Sequence, residues 1–561
     1  MSTRILEIDQ LQIALPKGAD RLFAVEGVSL QIEPGKTLCV VGESGSGKSV
    51  MALAAMGLLA RDLRCVGGSI RLDNEAIHNA SAVRLRQLRG SAMGMVFQEP
   101  MTALNPVMTC GDQIDELLRT HTQMDSDTRK ANIVVMLDRV RLPEPARIYA
   151  SYPHQLSGGQ RQRIVIAMAV ILKPRLLICD EPTTALDVTT QKEILSLINE
   201  LQAEHGSAVL FITHDMGVVE DIADTVLVMH QGKAVEQGSV DAVLNHAQMP
   251  YTQMLLAAVP SIKPPPARAA ATGAVVLKAD AVCKTYSTRS WVGPSRETHA
   301  LIDASLSLRA GETVAVVGES GSGKSTFARC LMRLIDPTSG QMFWGDDDIA
   351  SKSESALRPL RSHIQVVFQD PNRSLNPRMK IGEALIEGAV NFGIPKAQAA
   401  SLARELMQKV QLPVEGLDRY PNQFSGGQRQ RLAIARALAC KPKVLVADEA
   451  VSALDVSVQA QILVLLREIQ AQLGLGLLFI THDLRVAAQL CDRIIVMHQG
   501  RIIEQGNIAD VYANPAQAYT RQLLAALIHE FLNKFSRILT QASPSLGCRL
   551  GIFQEIGRAH V

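Results

Sequence analysis

The sequence predicts two tandem α/β domains, each with a mainly parallel sheet at its core. The first observation is a repeat, because the octapeptide GESGSGKS occupies residues 42–49 and again residues 318–325. The second is a pair of short, continuously apolar segments, TLCVV and TVAVV, directly before the two octapeptides. Such segments are typical of strands buried on both faces of a parallel sheet. A chain of 561 residues has room for two such domains of roughly 250 residues each.

Four further pairs of motifs follow the octapeptides in the same order. They are MVFQEP and VVFQDP, LSGGQRQR and FSGGQRQR, LLICDEP and VLVADEA, and LFITHDM and LFITHDL. The spacing between copies is constant from the SGGQ motif onward, since 424 − 156 = 268 and 478 − 210 = 268. A tandem duplication explains this pattern. We predict a first domain over 1–259, a Pro/Ala-rich linker over 260–274, a second domain over 275–527 and an unassigned tail over 528–561.

Composition excludes several classes of protein. Lys and Arg number 57 against 55 Asp and Glu, so bulk charge does not indicate a nucleic-acid partner. The nine cysteines lack metal-ligand spacing and several lie in apolar runs, which favours a reducing, cytosolic compartment. The sequence has neither a signal peptide nor an apolar run of the length that a membrane-spanning helix needs. Any contact with a membrane is therefore expected to be peripheral.

Each octapeptide follows a predicted strand and precedes a segment with apolar residues at helical spacing. This is the context of a phosphate-binding loop, or P-loop, of the form G-x-x-x-x-G-K-[ST]. Its N–H groups curl around phosphate oxygens, its lysine reaches the β- and γ-phosphates, and its hydroxyl holds Mg²⁺. A glycine turn without a chemical role is the alternative, which the complete pattern in both copies disfavours. The predicted nucleotide and Mg²⁺ ligands are Gly42, Ser44, Gly45, Gly47, Lys48, Ser49, Gly318, Ser320, Gly321, Gly323, Lys324 and Ser325.

Two carboxylates end each of the apolar segments LLICDE and VLVADE. Asp180 and Asp448 fit the magnesium-associated acid, and the glutamate that follows each of them is placed to polarise an attacking water. Plain surface solvation is the alternative for such a pair of acids. Their position downstream of a P-loop favours the catalytic interpretation, with Glu181 and Glu449 as the catalytic pair.

From residue 4 to 527 the sequence resembles the nucleotide-binding subunits of ABC transporters. The motif that carries the resemblance is SGGQ, at Ser157–Gln160 and Ser425–Gln428. The resemblance implies that ATP is the nucleotide and that this signature contacts the γ-phosphate of ATP bound by the partner domain. It also implies that Gln98 and Gln369 sense the Mg²⁺ and the attacking water. It implies that His214 and His482 are switch histidines near the γ-phosphate, and that Asp187 and Asp455 are loop acids that cross between domains.

The resemblance further implies the architecture of each domain. Besides the parallel core, we expect an antiparallel β subdomain and a helical subdomain, the latter roughly over residues 105–160 and 376–428. Adenine is expected to stack on an aromatic residue upstream of the P-loop, which Tyr286 supplies in the second half. The equivalent place in the first half is Leu15, with Phe23 as a substitute.

The branch of the family is indicated by FQEPMTALNP, ADEAVSALDVS and the closing YTQMLLAAV and YTRQLLAAL. These segments resemble importers of dipeptides, oligopeptides, nickel or glutathione. The resemblance implies two integral-membrane permease subunits and a periplasmic or extracellular solute-binding protein as partners, with no nucleic acid. It places the chain at the cytoplasmic face of the bacterial inner membrane, in contact with the membrane through the permeases only.

Two other functions stay open at this point. Twin ABC ATPases without membrane partners act on ribosomes or DNA, although they typically carry charged linkers, coiled coils or zinc-binding cysteines that this chain lacks. The second alternative is a regulatory module that binds ATP without hydrolysing it, which the presence of both glutamates disfavours.

The tail after Leu527 matches neither half of the repeat. Its ending EIGRAHV resembles the translation of a DNA-sequencing adapter, and a genuine helical tail is the alternative.

Overall fold

A computed structural model describes residues 4–19, 21–184, 186–261, 264, 271–288, 296–452 and 454–525. The chain divides into two compact units, and the main boundary along the described sequence falls between Ala257 and Ala258. The predicted linker 260–274 lies mostly outside the described residues, and the predicted tail 528–561 lies entirely outside them.

The first unit contains two sheets. Its strands are β1 Leu6–Ala14, β2 Phe23–Ile32, β3 Thr37–Val41, β4 Arg64–Leu72, β5 Glu75–Ala76, β6 Met93–Val96, β7 Leu176–Asp180, β8 Ala208–Ile212, β9 Thr225–His230 and β10 Lys233–Ser239. One sheet is antiparallel, with the order β2-β1-β4-β5. The other has the order β10-β9-β3-β8-β7-β6, in which only β10 is antiparallel.

Helices surround the parallel sheet of the first unit. They are α1 Lys48–Ala55, α2 Ala82–Leu88, α3 Pro100–Ala103, α4 Cys110–His121, α5 Ser126–Arg139, α6 Pro145–Tyr149, α7 Gly158–Val170, α8 Val188–His205, α9 Met216–Ile222, α10 Val240–Leu244 and α11 Pro250–Ala258. Helices α3 to α7 lie between strands β6 and β7 along the chain, which confirms the predicted helical subdomain.

The second unit repeats the architecture of the first. Its strands are β11 Val275–Thr288, β12 Arg296–Arg309, β13 Thr313–Val317, β14 Ser339–Trp344, β15 Asp347–Asp348, β16 Ile364–Val367, β17 Val444–Asp448, β18 Gly476–Ile480, β19 Arg493–His498 and β20 Arg501–Asn507. The antiparallel sheet has the order β12-β11-β14-β15, and the mainly parallel sheet has the order β16-β17-β18-β13-β19-β20. The predicted fold class is therefore confirmed in both halves.

The helices of the second unit follow the same order. They are α12 Lys324–Leu331, α13 Glu354–Leu357, α14 Pro371–Ser374, α15 Ile381–Asn391, α16 Lys396–Lys409, α17 Gly426–Leu438, α18 Val456–Leu473, α19 Leu484–Leu490 and α20 Ile508–Ala513. Residues 518–525 are also helical.

The apolar segments that precede the motifs form the buried centre of each sheet. Every residue of Thr37–Val41, Leu176–Asp180 and Ala208–Ile212 is buried. One face of these strands packs against helix α1 and the antiparallel sheet in a shared hydrophobic core. Parallel strands end at the same edge, so the loops that follow them converge there. The P-loop, the acidic pair, the histidine and the glutamine all follow such strands, which places them at one edge of the sheet.

Among the residues that the structure describes, no helix combines the length and the apolar character needed to cross a bilayer.

Candidate active site

The P-loop of the first unit is shaped by glycines at positions that a side chain could not occupy. Gly42 has φ 147° and Gly47 has φ 101°, both outside the range that L-residues favour. A Cβ on Gly42 would overlap the carbonyl oxygen of Met229, and one on Gly47 would overlap that of Ala24. Gly47 ends the loop as the residue before helix α1. The loop therefore presents N–H groups at the N-terminus of a helix, which is an anion-binding geometry.

The P-loop lysine is buried and held by the loop itself in both units. Lys48 Nζ donates to the carbonyl oxygens of Gly42 at 2.6 Å and Glu43 at 2.9 Å. In the second unit, Lys324 Nζ donates to those of Gly318 at 2.7 Å and Glu319 at 2.8 Å. Each lysine thus lies within the loop as a fixed positive charge.

Ser49 and Asp180 face each other where strand β7 ends beside helix α1. Ser49 Oγ donates to Asp180 Oδ1 over 2.9 Å, and the corresponding Ser325 hydroxyl bonds Asp448. Burial chiefly raises the pKa of Asp180 to about 6 and also raises that of Asp448. No group of three or more His, Cys, Asp or Glu among the described residues could hold a metal on its own. Mg²⁺ needs only one or two protein oxygens when phosphates supply others, so this hydroxyl and carboxylate fit it.

Glu181 is the centre of a hydrogen-bonded cluster in the first unit. Gln98 Nε2 donates to Glu181 Oε2 at 2.9 Å, Thr184 Oγ1 donates to the same oxygen at 2.9 Å, and His214 Nδ1 lies 3.3 Å from it. These contacts join the ends of strands β6, β7 and β8. The structure therefore brings three of the sequence-predicted catalytic residues of the first domain into contact.

The second unit contains the same cluster around Glu449. Gln369 Nε2 donates to Glu449 Oε2 at 2.8 Å, and His482 Nδ1 lies 3.5 Å from Glu449 Oε1. The hydroxyl at this position differs, because Ser452 Oγ donates to the backbone oxygen of Glu449 at 3.0 Å and accepts from Gln369 at 3.5 Å. All six predicted catalytic residues thus lie in two equivalent clusters.

Both glutamates are stabilised as anions. Burial acts to raise the pKa of Glu181, but the hydrogen bond and positive charge of His214, with Lys48 and Thr184, lower it to about 2. Burial again opposes the bond from His482 at Glu449, and the pKa of Glu449 is lowered. Burial alone would lower the pKa of His482, yet the bond with Glu449 raises it. An ionised carboxylate is the form that accepts a proton from water.

The backbone at the two glutamates is strained in the same way. Glu181 has φ 47° and Glu449 has φ 48°, which is the left-handed region that non-glycine residues rarely adopt. Strained backbone of this kind concentrates at functional sites, where the surrounding structure holds it in place. Here each residue follows the last residue of a buried central strand.

The signature motif opens a helix in each unit. Ser157 Oγ accepts from Gln160 N at 3.2 Å, and Gln160 Oε1 accepts from Ser157 N at 3.0 Å, which is a capping box before helix α7. Ser425 and Gln428 form the same pair before helix α17. The space beside each first glycine, Gly158 and Gly426, is open. Each signature is therefore an accessible N-terminus of a 13-residue helix.

The residues considered for adenine differ between the units. Tyr286 is 44% exposed on strand β11, and Lys284 Nζ lies 5.2 Å from its ring centroid. Leu15 instead packs against the hydrophobic core of the first unit, and its N–H donates to Leu22 O. Phe23 is half-buried at the start of strand β2. Asp187 and Asp455, the predicted crossing acids, lie directly before helices α8 and α18.

Sequence reasoning did not assign Thr184, although a hydroxyl stands three residues after the glutamate in both copies. It also missed two tyrosines that contact the P-loops. Glu43 N donates to Tyr251 Oη at 3.3 Å, and Glu319 N donates to Tyr519 Oη at 3.1 Å. The recurrence of YT at 251 and 519, at the constant spacing of the repeat, is the signal that could have found them.

Comparison with known families agrees with this geometry. The profile described as "ABC transporter" matches residues 25–184 and 301–452, which is more than half of the chain and includes both P-loops, signatures and acidic pairs. The chain belongs to the ABC transporter family. It is accordingly an ATPase with two ATP-binding domains. A second profile, "Oligopeptide/dipeptide transporter, C-terminal region", matches residues 235–290.

Relatives of this ABC protein match along nearly its whole length. It is 44% identical to the glutathione import ATP-binding protein GsiA of Shigella boydii, over 93% of this chain and 89% of the relative. It is 45% identical to the protein of the same name from Salmonella paratyphi A, over 94% and 90%. A solved dimeric ATP-binding cassette, MJ0796 with ADP and phosphate, is 30% identical over 41% of this chain and 98% of that one, with a TM-score of 0.38.

Proposed function

We propose that this chain is the ATP-hydrolysing motor of an importer for glutathione or related peptides. The observation that carries the proposal is the presence of two complete clusters, each with an ionised glutamate, in a chain 44% identical to a glutathione import ATP-binding protein. The match to the oligopeptide/dipeptide transporter C-terminal region supports the same substrate class. Nothing in the comparisons favours action on ribosomes or DNA.

Each residue of a cluster has a distinct role in this proposal. The P-loop N–H groups and Lys48 bind the phosphates, and Ser49 with Asp180 would hold Mg²⁺, which supplies charge neutralisation at the phosphates. Glu181 accepts the proton of the attacking water, while the Gln98 amide and His214 hold its carboxylate in place. The same roles recur in the second domain. Lys324 binds the phosphates there, and Ser325 with Asp448 would hold Mg²⁺. Glu449 accepts the proton, and Gln369 and His482 hold its carboxylate.

The second element of the proposal is that each ATP is bound by both domains. The signature of one domain would supply the serine hydroxyl and helix N-terminus that complete the phosphate site of the other. ATP then draws the domains together, and loss of the γ-phosphate releases them. That cycle would drive two permease subunits between inward and outward access at the cytoplasmic face of the membrane, with a solute-binding protein delivering the substrate.

Reconstitution tests the proposed transport function. The chain is combined with its genomically adjacent permeases and binding protein in proteoliposomes, and ATP hydrolysis is measured with glutathione, dipeptides or oligopeptides. We expect one of these solutes to stimulate ATP hydrolysis. The same solute should accumulate on the side of the membrane opposite the binding protein. Hydrolysis that responds to ribosomes or DNA and to none of these solutes would contradict the proposal.

A further inference from the structure

A tyrosine and a histidine form a stacked pair behind each P-loop. In the first unit, the rings of His230 and Tyr251 have centroids 3.9 Å apart, and Tyr251 Oη accepts the N–H of Glu43 at 3.3 Å. His230 Nδ1 also lies 4.0 Å from Glu43 Oε2. Tyr251 is on helix α11, close to the end of the domain. The second residue of the P-loop is therefore held from the C-terminal part of its own domain.

The second unit repeats this arrangement. His498 and Tyr519 have ring centroids 4.0 Å apart, and Tyr519 Oη accepts the N–H of Glu319 at 3.1 Å. Burial chiefly raises the pKa of Tyr519 to about 12, with the Glu319 carboxylate also acting to raise it. The hydroxyl is thus neutral over the physiological range. The presence of the same contact in both copies of the repeat argues that it has a role in both sites.

The held residue is connected directly to the P-loop lysine. Glu43 O accepts from Lys48 Nζ at 2.9 Å and from Ser46 N at 3.1 Å. The backbone of Glu43 therefore connects the tyrosine to the lysine: its N–H group donates to the tyrosine hydroxyl, and its C=O group accepts from the lysine. Glu319 makes the same link, because its oxygen accepts from Lys324 Nζ at 2.8 Å.

The segment that carries each tyrosine is itself anchored to the sheet. Glu236 on strand β10 accepts from Gln248 N at 2.8 Å and Met249 N at 3.3 Å, just before helix α11. Glu504 on strand β20 likewise accepts from Ala516 N at 2.7 Å and Gln517 N at 3.1 Å. Each tyrosine is thus presented to its P-loop from a fixed helix start.

We propose that Tyr251 and Tyr519 are positioning residues for ATP binding, which hold Glu43 and Glu319 so that each P-loop is pre-formed for phosphate. The inference rests on the proposed assignment of the P-loops as ATP sites. Its physical basis is that a loop fixed before binding loses less conformational freedom when it binds. By this contact, the C-terminal segment of each domain contributes to the affinity for ATP.

The test is the double variant Tyr251→Phe/Tyr519→Phe in the full chain. Phenylalanine keeps the ring against the histidine and removes the hydroxyl that accepts the Glu N–H. We expect the Kd for ATP to rise by about threefold to tenfold, the range that a single net hydrogen bond supplies. The rate of hydrolysis at saturating ATP should change less than the affinity, because Glu181 and Glu449 are untouched.

A matched control separates positioning from general stability. Thr120 Oγ1 donates to Glu116 O at 2.7 Å within helix α4, so Thr120→Val removes one hydroxyl hydrogen bond that does not involve the P-loops. The Kd of this variant for ATP should equal that of the unaltered chain, even if its Tm differs. An unchanged or tighter Kd in the double variant, or an equal weakening in Thr120→Val, overturns the inference. If Lys48→Ala/Lys324→Ala also leaves ATP affinity intact, the site assignment itself is wrong and the inference with it.

Discussion

The two ATP-binding domains of this chain are alike around their P-loops and different at the residues predicted to bind adenine. Each has a buried lysine, a serine bonded to an aspartate, and a glutamate held by glutamine and histidine. Upstream of the P-loops, an exposed Tyr286 in the second domain stands where the first has a partly buried Leu15 that packs against its core. The comparison teaches that the groups predicted for hydrolysis are duplicated closely, whereas the groups predicted to bind the base are not.

A smaller difference lies beside the glutamates. Thr184 donates to the side chain of Glu181, whereas Ser452 donates to the backbone oxygen of Glu449. The first glutamate therefore has one more hydrogen bond to its charged form. The pKa of Glu181 at about 2 reflects this hydroxyl together with His214 and Lys48, after burial has acted in the opposite direction.

The largest effect is expected where the sites are alike. Glu181→Gln/Glu449→Gln removes both proton acceptors and should slow steady-state ATP hydrolysis by about 10²- to 10⁴-fold, the usual contribution of a general base. ATP binding should persist, because the P-loops are unchanged. Glu144→Gln, at a glutamate that is 66% exposed in an ion pair with Arg147, is the control and should hydrolyse ATP normally. Hydrolysis by the double variant at the rate of this control would refute the catalytic assignment.

An intermediate effect is expected where the sites differ most. Tyr286→Ala should weaken ATP binding at the second site by about 1–3 kcal/mol, the value of base stacking on an aromatic ring. Leu15→Ala should leave the affinity of the first site unchanged, since that side chain packs against the hydrophobic core. Titration of ATP in a chain with the other P-loop lysine replaced by alanine isolates each site.

Phe23 sharpens the same comparison. If it substitutes for the missing tyrosine, Phe23→Ala should weaken the first site as Tyr286→Ala weakens the second. If the second site binds ATP equally well in the Tyr286→Ala variant and in the unaltered chain, Tyr286 does not bind adenine.

The smallest effect is expected at the hydroxyl beside each glutamate. Thr184→Ala removes a bond to a buried charged carboxylate and should slow hydrolysis at the first site by about threefold to tenfold. Ser452→Ala removes a bond to a neutral backbone oxygen and should have less effect at the second. Phosphate release in a single turnover, with the other glutamate replaced by glutamine in each case, measures the two sites separately. A larger loss in Ser452→Ala would reverse the proposed order.

Much of the fold was predictable because the motifs adjoin strong local patterns. TLCVV is apolar throughout and forms strand β3, and the segment after Lys48 forms helix α1. The same patterns occur in both halves of the sequence, so each strand and helix was predicted from two copies. The glutamates were predicted because each follows an apolar strand downstream of a P-loop, whereas the histidines and glutamines were assigned from the resemblance to ABC transporter subunits. Parallel strands deliver their ends to one edge of the sheet, which explains why all of these residues meet there.

The contacts that the sequence did not predict join residues far apart along the chain. Tyr251 and Glu43 are brought together only by the packing of helix α11, and no local pattern specifies that contact. The positive φ of Glu181 is likewise imposed by its surroundings, since glutamate has no preference for it. The hydrogen bond from Thr184 to Glu181 depends on the side-chain rotamer of the threonine, which the sequence does not determine.

The central claim is that each ATP site combines the P-loop of one domain with the signature of the other. The direct test measures ATP retained after rapid removal of free nucleotide, in the Glu181→Gln/Glu449→Gln background. Lys48→Ala with Ser425→Arg damages one shared site, so the chain should still retain ATP at the other site. Lys48→Ala with Ser157→Arg damages both sites and should retain none. Equal retention by the two pairs would contradict the claim.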